Sequence, residues 1–223
     1  MGAESRRNAS VGFMLMSETK ALIQVFARAP LKGAVKRRLG AQIGDSAALH
    51  WYKILLAQTL AVVDAVQEVQ AELWYPEGDD EYLLSKIVGR KGLPLLPQAP
   101  GDLGEKMQQA LTQGLAGADK VLLIGADCPV WTPDLLRQAL DQLSSSKPCI
   151  IVPAEDGGYV GIGVTGQVPK IFDEVPWGTA TVLAKTQDRA AALDYPLYEL
   201  PSLWDVDVKT DLERWLRLDP KLP

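Results

Sequence analysis

Short apolar runs alternate with longer amphipathic stretches along most of this chain, and the two kinds of stretch have different periods. ALIQVFA (21–27) predicts a strand, followed by the loop RAPLKG. From Asp45 to Val69 the apolar positions Leu49, Tyr52, Leu56, Leu60 and Val63 recur every three or four residues, which predicts one long helix. AELWYP (71–76) predicts a second strand stopped by Pro76 and Gly78, a short helix covers Asp80 to Val88, and LPLLPQ (93–98) reads as a third strand or extended edge. Asp102 stands as an N-cap with Glu105 in the capping-box position three residues later, so a helix follows. KVLLIG (120–125) predicts a central strand. Thr132 then caps another helix, with Pro133 at its first position and Asp134 in its first turn. CIIVPA (149–154) predicts a strand and YVGIGV (159–164) one that pairs beyond it. A helix over 179–193, the segment PLYEL, the loop PSLWDVDV and a helix over 210–218 close the chain.

This alternation predicts an α/β protein whose mostly parallel sheet is covered by helices on both faces. Residues 1–19 lack a convincing signal-peptide core and read as a disordered tail, with Met14 or Met16 as alternative starts; 20–223 reads as a single domain. The 223 residues are 47% apolar and 23% charged, and no run is long enough to span a bilayer. A net charge of −5 argues against a general nucleic-acid binder and favours a small-molecule substrate. With Cys128 and Cys149 as the only cysteines there is no disulfide framework, and the expected compartment is the cytoplasm.

Charge is unevenly spread, and that changes the picture. RAPLKGAVKRRL (28–39) carries Arg28, Lys32, Lys36, Arg37 and Arg38 without an acid. A loop of this kind after the first strand suits a diphosphate, although a solvated basic turn would read the same way. Asp127 ends the apolar run VLLIG; it either caps the next turn or supplies one of the one or two carboxylates that Mg²⁺ takes beside substrate phosphates. Asp205 and Asp207 alternate with Val206, so they point the same way and either cap the last helix or join the metal. PAEDGGY (153–159) is a hairpin turn that could display Asp156 as a general base. Trp177 in VPWGT reads as core or as an acceptor wall before a helix capped by Thr179. His50, the only histidine, and Cys128 read as packing or surface residues. In open α/β sheets ligands bind outside the carboxyl ends of the strands, where these motifs sit.

Six segments in register, VFARAPLKGAVKRRL, GDLGEKM, IGADCPVWTPDLL, PAEDGGYVGIG, VPWGT and DVDVKTDL, resemble a bacterial family of small uncharacterised proteins also labelled arsenosugar-biosynthesis-type glycosyltransferases. The resemblance spans residues 21 to about 215. It implies a three-layer α/β/α GT-A (nucleotide-diphospho-sugar transferase) fold that uses Mg²⁺ or Mn²⁺, a nucleotide-activated donor and a small-molecule acceptor. It implies that Arg28, Ala29, Pro30, Gly33, Lys36 and Arg38 hold the nucleotide phosphates, with Asp102, Leu103 and Gly104 on the nucleoside side. Asp127, Asp207 and Asp205 would hold the metal, Asp127 and Asp156 would be catalytic, and Gly157, Gly158, Tyr159 and Trp177 would face the acceptor. Arg37 stands where the family has Thr, and Val160 with Gly161 where it has a bulky apolar pair. Three functions follow from the resemblance: glycosyl transfer from a nucleotide sugar, nucleotidyl transfer from a nucleoside triphosphate to a phosphorylated metabolite, or non-catalytic nucleotide binding.

Overall fold

A computed structural model of the chain describes residues 20–88 and 93–218. The tail over 1–19 and the alternative starts at Met14 and Met16 lie outside the described residues. The elements run β1 (Ala21–Phe26), α1 (Arg37–Ile43), α2 (Asp45–Asp64), β2 (Val69–Pro76), α3 (Glu81–Val88), β3 (Leu95–Gln98), α4 (Leu103–Leu115), β4 (Lys120–Gly125), α5 (Pro133–Gln142), β5 (Cys149–Pro153), β6 (Tyr159–Thr165), α6 (Val182–Ala192), β7 (Leu197–Glu199) and α7 (Lys209–Leu218). The strands form one sheet of order β3-β2-β1-β4-β6-β5-β7. β1 pairs in parallel with both β2 and β4, whereas β6 runs antiparallel between β4 and β5. The hairpin strand expected beyond β5 therefore lies inside it, wedged against β4.

Alternate residues of each central strand enter different cores, and this is why these strands are apolar throughout. Ile23, Val25, Leu122 and Ile124 pack on the α2 and α5 side with Leu56, Leu60, Leu136 and Leu140. Leu22, Val121 and Leu123 pack on the α4 side with Met107 and Leu111. The one fully buried polar residue in β1, Gln24, donates from Nε2 to the Ala110 carbonyl of α4 at 2.7 Å. A third cluster joins α1, α2 and α7 through Leu39, Leu55, Val206, Leu212 and Trp215.

Two of the three predicted caps form. The Asp102 carboxylate accepts from the Glu105 amide while the Glu105 carboxylate accepts from the Asp102 amide, and the Thr132 hydroxyl accepts from the Leu135 amide. Three local expectations are corrected. The long helix ends at Asp64, because the chain reverses at Glu68, which takes a left-handed φ of 62°, and Val69 already belongs to β2. The last three residues of the basic segment, Arg37 to Leu39, are not loop but the start of helix α1, which buries Leu39 and Gly40. Thr179 does not cap α6: its hydroxyl donates to the Pro176 carbonyl and the helix starts three residues later.

Candidate functional site

The carboxyl ends of β1 and β4 lie side by side, Phe26 opposite Gly125, and the loops leaving them face each other across a cleft. After β1 the chain is pinned at Arg28, whose amide donates to the Tyr52 hydroxyl while that hydroxyl donates back to the Arg28 carbonyl, both at 2.8 Å. Asp79, just past β2, holds the next residue by accepting from the Ala29 amide at 2.7 Å and pairs with the Arg28 guanidinium. Gly33 at φ 76° turns the loop, and Lys36 then adopts φ 46° and ψ 49° as the residue before α1. A left-handed lysine costs of the order of 1–2 kcal/mol, so the fold tolerates strain to aim this side chain.

It is aimed at carboxylates. Lys36 Nζ lies 2.8 Å from Asp127 Oδ2 and 3.0 Å from Asp207 Oδ1, and its side chain is only 4% exposed. Arg38 donates to the other oxygen of Asp207. Asp127 leaves β4 in a loop whose backbone accepts from the Val206 amide, so the returning DVD segment is tied beside it. Val206 is fully buried, which leaves Asp205 and Asp207 on the opposite side facing Asp127. One oxygen from each of Asp127, Asp205 and Asp207 lies within 4.8 Å of the others. Neither aspartate of that segment caps α7. Asp211 does the capping in reverse, accepting from the Asp207 and Val208 amides.

The charges set each other. Burial raises the Asp205 carboxyl to about 7, and the neighbouring Asp127 and Asp207 carboxylates push the same way while Lys36 opposes them. Burial also raises Asp207, but the Lys36 and Arg38 cations outweigh it and hold the carboxyl below its ordinary value. Lys36 would be lowered by burial, yet Asp127 and Asp207 hold it charged well above the usual lysine range. All-oxygen donors at this spacing are the chemistry that Mg²⁺ or Mn²⁺ selects, so the residues fit a divalent cation.

Two cavities meet at this cluster. The first, of about 580 Å³, runs from Arg28 along Lys36, Arg37 and Arg38 to Lys106, with Tyr52 and Gln98 in its wall. The second, of about 390 Å³, is lined by Asp156, Gly158, Tyr159, Trp177 and Asp205. Arg38, Leu103, Gly125 and Asp127 belong to both. Ala29, Pro30 and Gly33 shape the basic loop without lining either cavity; Ala29 and Pro30 are buried. Asp102 also lines neither, its carboxylate being spent on the α4 cap. A Cβ on Gly104 would sit 2.8 Å from the Trp177 ring, so this glycine lets the indole lie against α4. Trp177 meets Tyr159 edge to face at 6.2 Å and Phe172 at 6.4 Å, and is both packed and cavity wall. Gly157 has φ 90° and lies against the Ala180 backbone, and its carbonyl accepts from the Leu183 amide of α6. Asp156 is exposed at the tip of that turn, where its carboxylate accepts from the Gly158 amide.

A family model described as an uncharacterized protein conserved in bacteria, DUF2064, matches residues 59–179, over half of the chain. The chain belongs to the DUF2064 family. This DUF2064 chain is 29% identical, with a TM-score of 0.83, to a protein from Desulfovibrio desulfuricans G20 provisionally named a nucleotide-diphospho-sugar transferase, over 91% of this chain and 89% of that one. More distant likenesses, of fold alone, are to CMP:2-keto-3-deoxy-manno-octonic acid synthetase complexed with CTP and to Rv0371c of Mycobacterium tuberculosis H37Rv in complex with manganese. The synthetase shows 13% identity and TM-score 0.58 over 92% of this chain and 100% of that one; Rv0371c shows 18% and 0.54 over 89% and 98%. No curated protein matches the sequence. The fold is that of the nucleotide-diphospho-sugar transferases, as the sequence implied.

Several site residues of this DUF2064 member escaped the sequence reading. Tyr52, Asp79 and Gln98 sit in segments read only as structure, though Asp79 in PEGDD does follow the carboxyl end of a strand beside β1, and Lys106 goes unassigned within GDLGEKM. Gly161 has a local reason: a Cβ there would meet the buried Trp131 ring at 3.2 Å. Cys128 is buried in the core, its thiol pushed up to about 12 by burial, and His50 is exposed against Trp51. No helix among the described residues is long and apolar enough to cross a membrane.

Proposed function

We propose that this chain is a divalent-metal-dependent transferase that moves a sugar from a nucleotide-diphospho-sugar donor to a small-molecule acceptor. The observation that carries this reading is the border at Asp127, where a cavity lined by five cations meets a cluster of three carboxylates. The cations would take the donor diphosphate: Arg28, Arg37 and Arg38 offer paired donors and Lys106 a point charge. Mg²⁺ or Mn²⁺ held by Asp127, Asp205 and Asp207 would supply positive charge to the departing diphosphate. The acceptor oxygen forms the new bond to the sugar carbon, and the bond from that carbon to the diphosphate breaks with its electron pair leaving on the phosphate. The hydroxyl proton passes to Asp156, which faces the second cavity. Within this reading the chain is an arsenosugar-biosynthesis-type glycosyltransferase, and its free buried Cys128 and Cys149 fit a reducing cytoplasm.

The likeness to a synthetase carrying CTP supports a second reading, nucleotidyl transfer to a phosphorylated metabolite. The two differ in product: pyrophosphate in nucleotidyl transfer, a nucleoside diphosphate or monophosphate in glycosyl transfer. A thermal-shift panel of nucleoside triphosphates and nucleotide sugars, with and without Mg²⁺ or Mn²⁺, tests the donor first. A metal-dependent shift with a nucleotide sugar, lost in Asp127→Asn, is the expected result. If no nucleotide gives a shift under any metal, the reading fails, and binding without turnover would leave a nucleotide-binding module.

A further inference from the structure

The two cavities that meet at Asp127 differ in their lining cations, five against one among the described residues, and from that contrast we infer that the acceptor is a non-phosphorylated hydroxyl compound, neutral or amine-bearing. The inference rests on reading the first cavity as the donor site. There Arg28, Lys36, Arg37, Arg38 and Lys106 face Asp127 and Asp207. In the second cavity Arg38 is the one cation among the described lining residues, and that guanidinium already donates to Asp207; of the three acids there Asp127 and Asp205 would be taken up by the metal, which leaves Asp156.

Part of the backbone at the rim of this cavity is already committed. The α6 start borders the cavity through Ala180 and Val182 and would ordinarily attract an anion. Its early amides are committed, however: Leu183 donates to the Gly157 carbonyl and Val182 to the Thr179 carbonyl. The Gly158 amide of the facing turn is likewise taken by the Asp156 carboxylate. A phosphate monoester, with charge near −2, would give up water and meet the Asp156 carboxylate with no unpaired cation in return, the unpartnered Trp177 Nε1 and Tyr159 hydroxyl being neutral donors. A hydroxylated ring meets a better partner, with the Trp177 and Tyr159 rings beside its C–H face and Asp156 as acceptor for its hydroxyls. The arrangement separates the substrates by charge, so that the donor's phosphates are drawn to the cation-rich side of Asp127 and meet no unpaired cation on the other.

Three probes of similar size test this: methyl glucoside, glucosamine and glucose 6-phosphate, each titrated against the full chain by saturation-transfer NMR. Mg²⁺ and the most stabilising nucleotide are kept saturating so that the first cavity is filled. The two non-phosphorylated probes should bind at least about tenfold more tightly than glucose 6-phosphate, and Asp156→Lys should narrow that gap at least about fivefold. Asp156→Asn, which keeps the turn's hydrogen bond to the Gly158 amide, should fall between. Equal or tighter binding of glucose 6-phosphate to the unmodified chain overturns the inference. So does a gap that Asp156→Lys leaves unmoved, or binding of none of the three at millimolar concentration. If no nucleotide stabilises the chain, the donor reading is what fails; the probes are then titrated without nucleotide, and the response to Asp156→Lys still decides the charge of the second cavity.

Discussion

Replacing Lys36 by Met removes an ammonium while keeping the aliphatic stem and the same left-handed backbone, so any change reports the charge alone. That ammonium is 4% exposed and sits 2.8 Å and 3.0 Å from carboxylates that are 38% and 23% exposed. A hydrogen bond to a charged group contributes about 1.5–3 kcal/mol when shielded, and about 1 kcal/mol or less when solvated. The limb to Asp207 belongs nearer the first figure and the limb to Asp127 to the second, which gives about 2–3 kcal/mol for the pair. In a chain of this length that is roughly 5–10 °C of melting temperature, measured in EDTA by calorimetry. The loss should persist from pH 6 to 9 and deepen as Asp205 ionises near 7, because Lys36 is held charged above its ordinary value and its own contribution fades only as pH rises through the still higher folded value. Adding Mn²⁺ should raise the melting temperature of Lys36→Met more than that of the unmodified chain, since a competitor for the carboxylates has gone. A variant melting within about 1 °C of the unmodified chain in EDTA would refute the reasoning.

Asp205→Asn tests the same cluster from the other side. Its carboxyl is raised to about 7 from 3.8, so the acid's contribution is full below 3.8 and lost as pH rises through about 7. In EDTA the Asn variant should match the unmodified chain at pH 4 and exceed it by about 1–2 kcal/mol at pH 8.5, the full displacement being discounted for partial exposure; a difference independent of pH in urea titrations would count against the like-charge repulsion. Asp127→Asn should lower transfer turnover by about a hundredfold or more while shifting the melting temperature little, and activity retained with unchanged metal dependence would remove Asp127 from the reaction. Gly157→Ala, at φ 90° and with its Cβ directed within 2.8 Å of the Ala180 carbonyl carbon, should cost about 2–4 kcal/mol in chemical denaturation; a neutral result would mean that the turn and the α6 start can move apart.

What the sequence disclosed were features whose physical cause is local. The apolar run of β4 follows from burial on both faces, and the Asp102 and Thr132 caps from the amides they must satisfy within one turn. Helix α1 escaped because the residue before it is a left-handed lysine with no capping side-chain bond, and the helix buries only Leu39 and Gly40. The place of β6 between β4 and β5 is a pairing choice between distant segments, which an alternating pattern in YVGIGV does not encode. The acids of the cluster could be suspected one by one from their positions at strand ends. Lys36 lies 91 residues from Asp127 and 171 from Asp207, and its pairing with both is a property of the assembled sheet edge.

The sharing of Asp127, Arg38 and the residues around them by two adjoining cavities bears on how such a protein diversifies. The first cavity is walled by the β1 loop with α1 and α4, whereas the second adds the 156–158 turn and the segment before α6. On the proposed reading, changes in those two short stretches would exchange one acceptor for another and leave the cation-lined cavity as it is. The Asp127 border is thus a seam along which substrate range can be rewritten in one half of the molecule while the chemistry is inherited intact from the other.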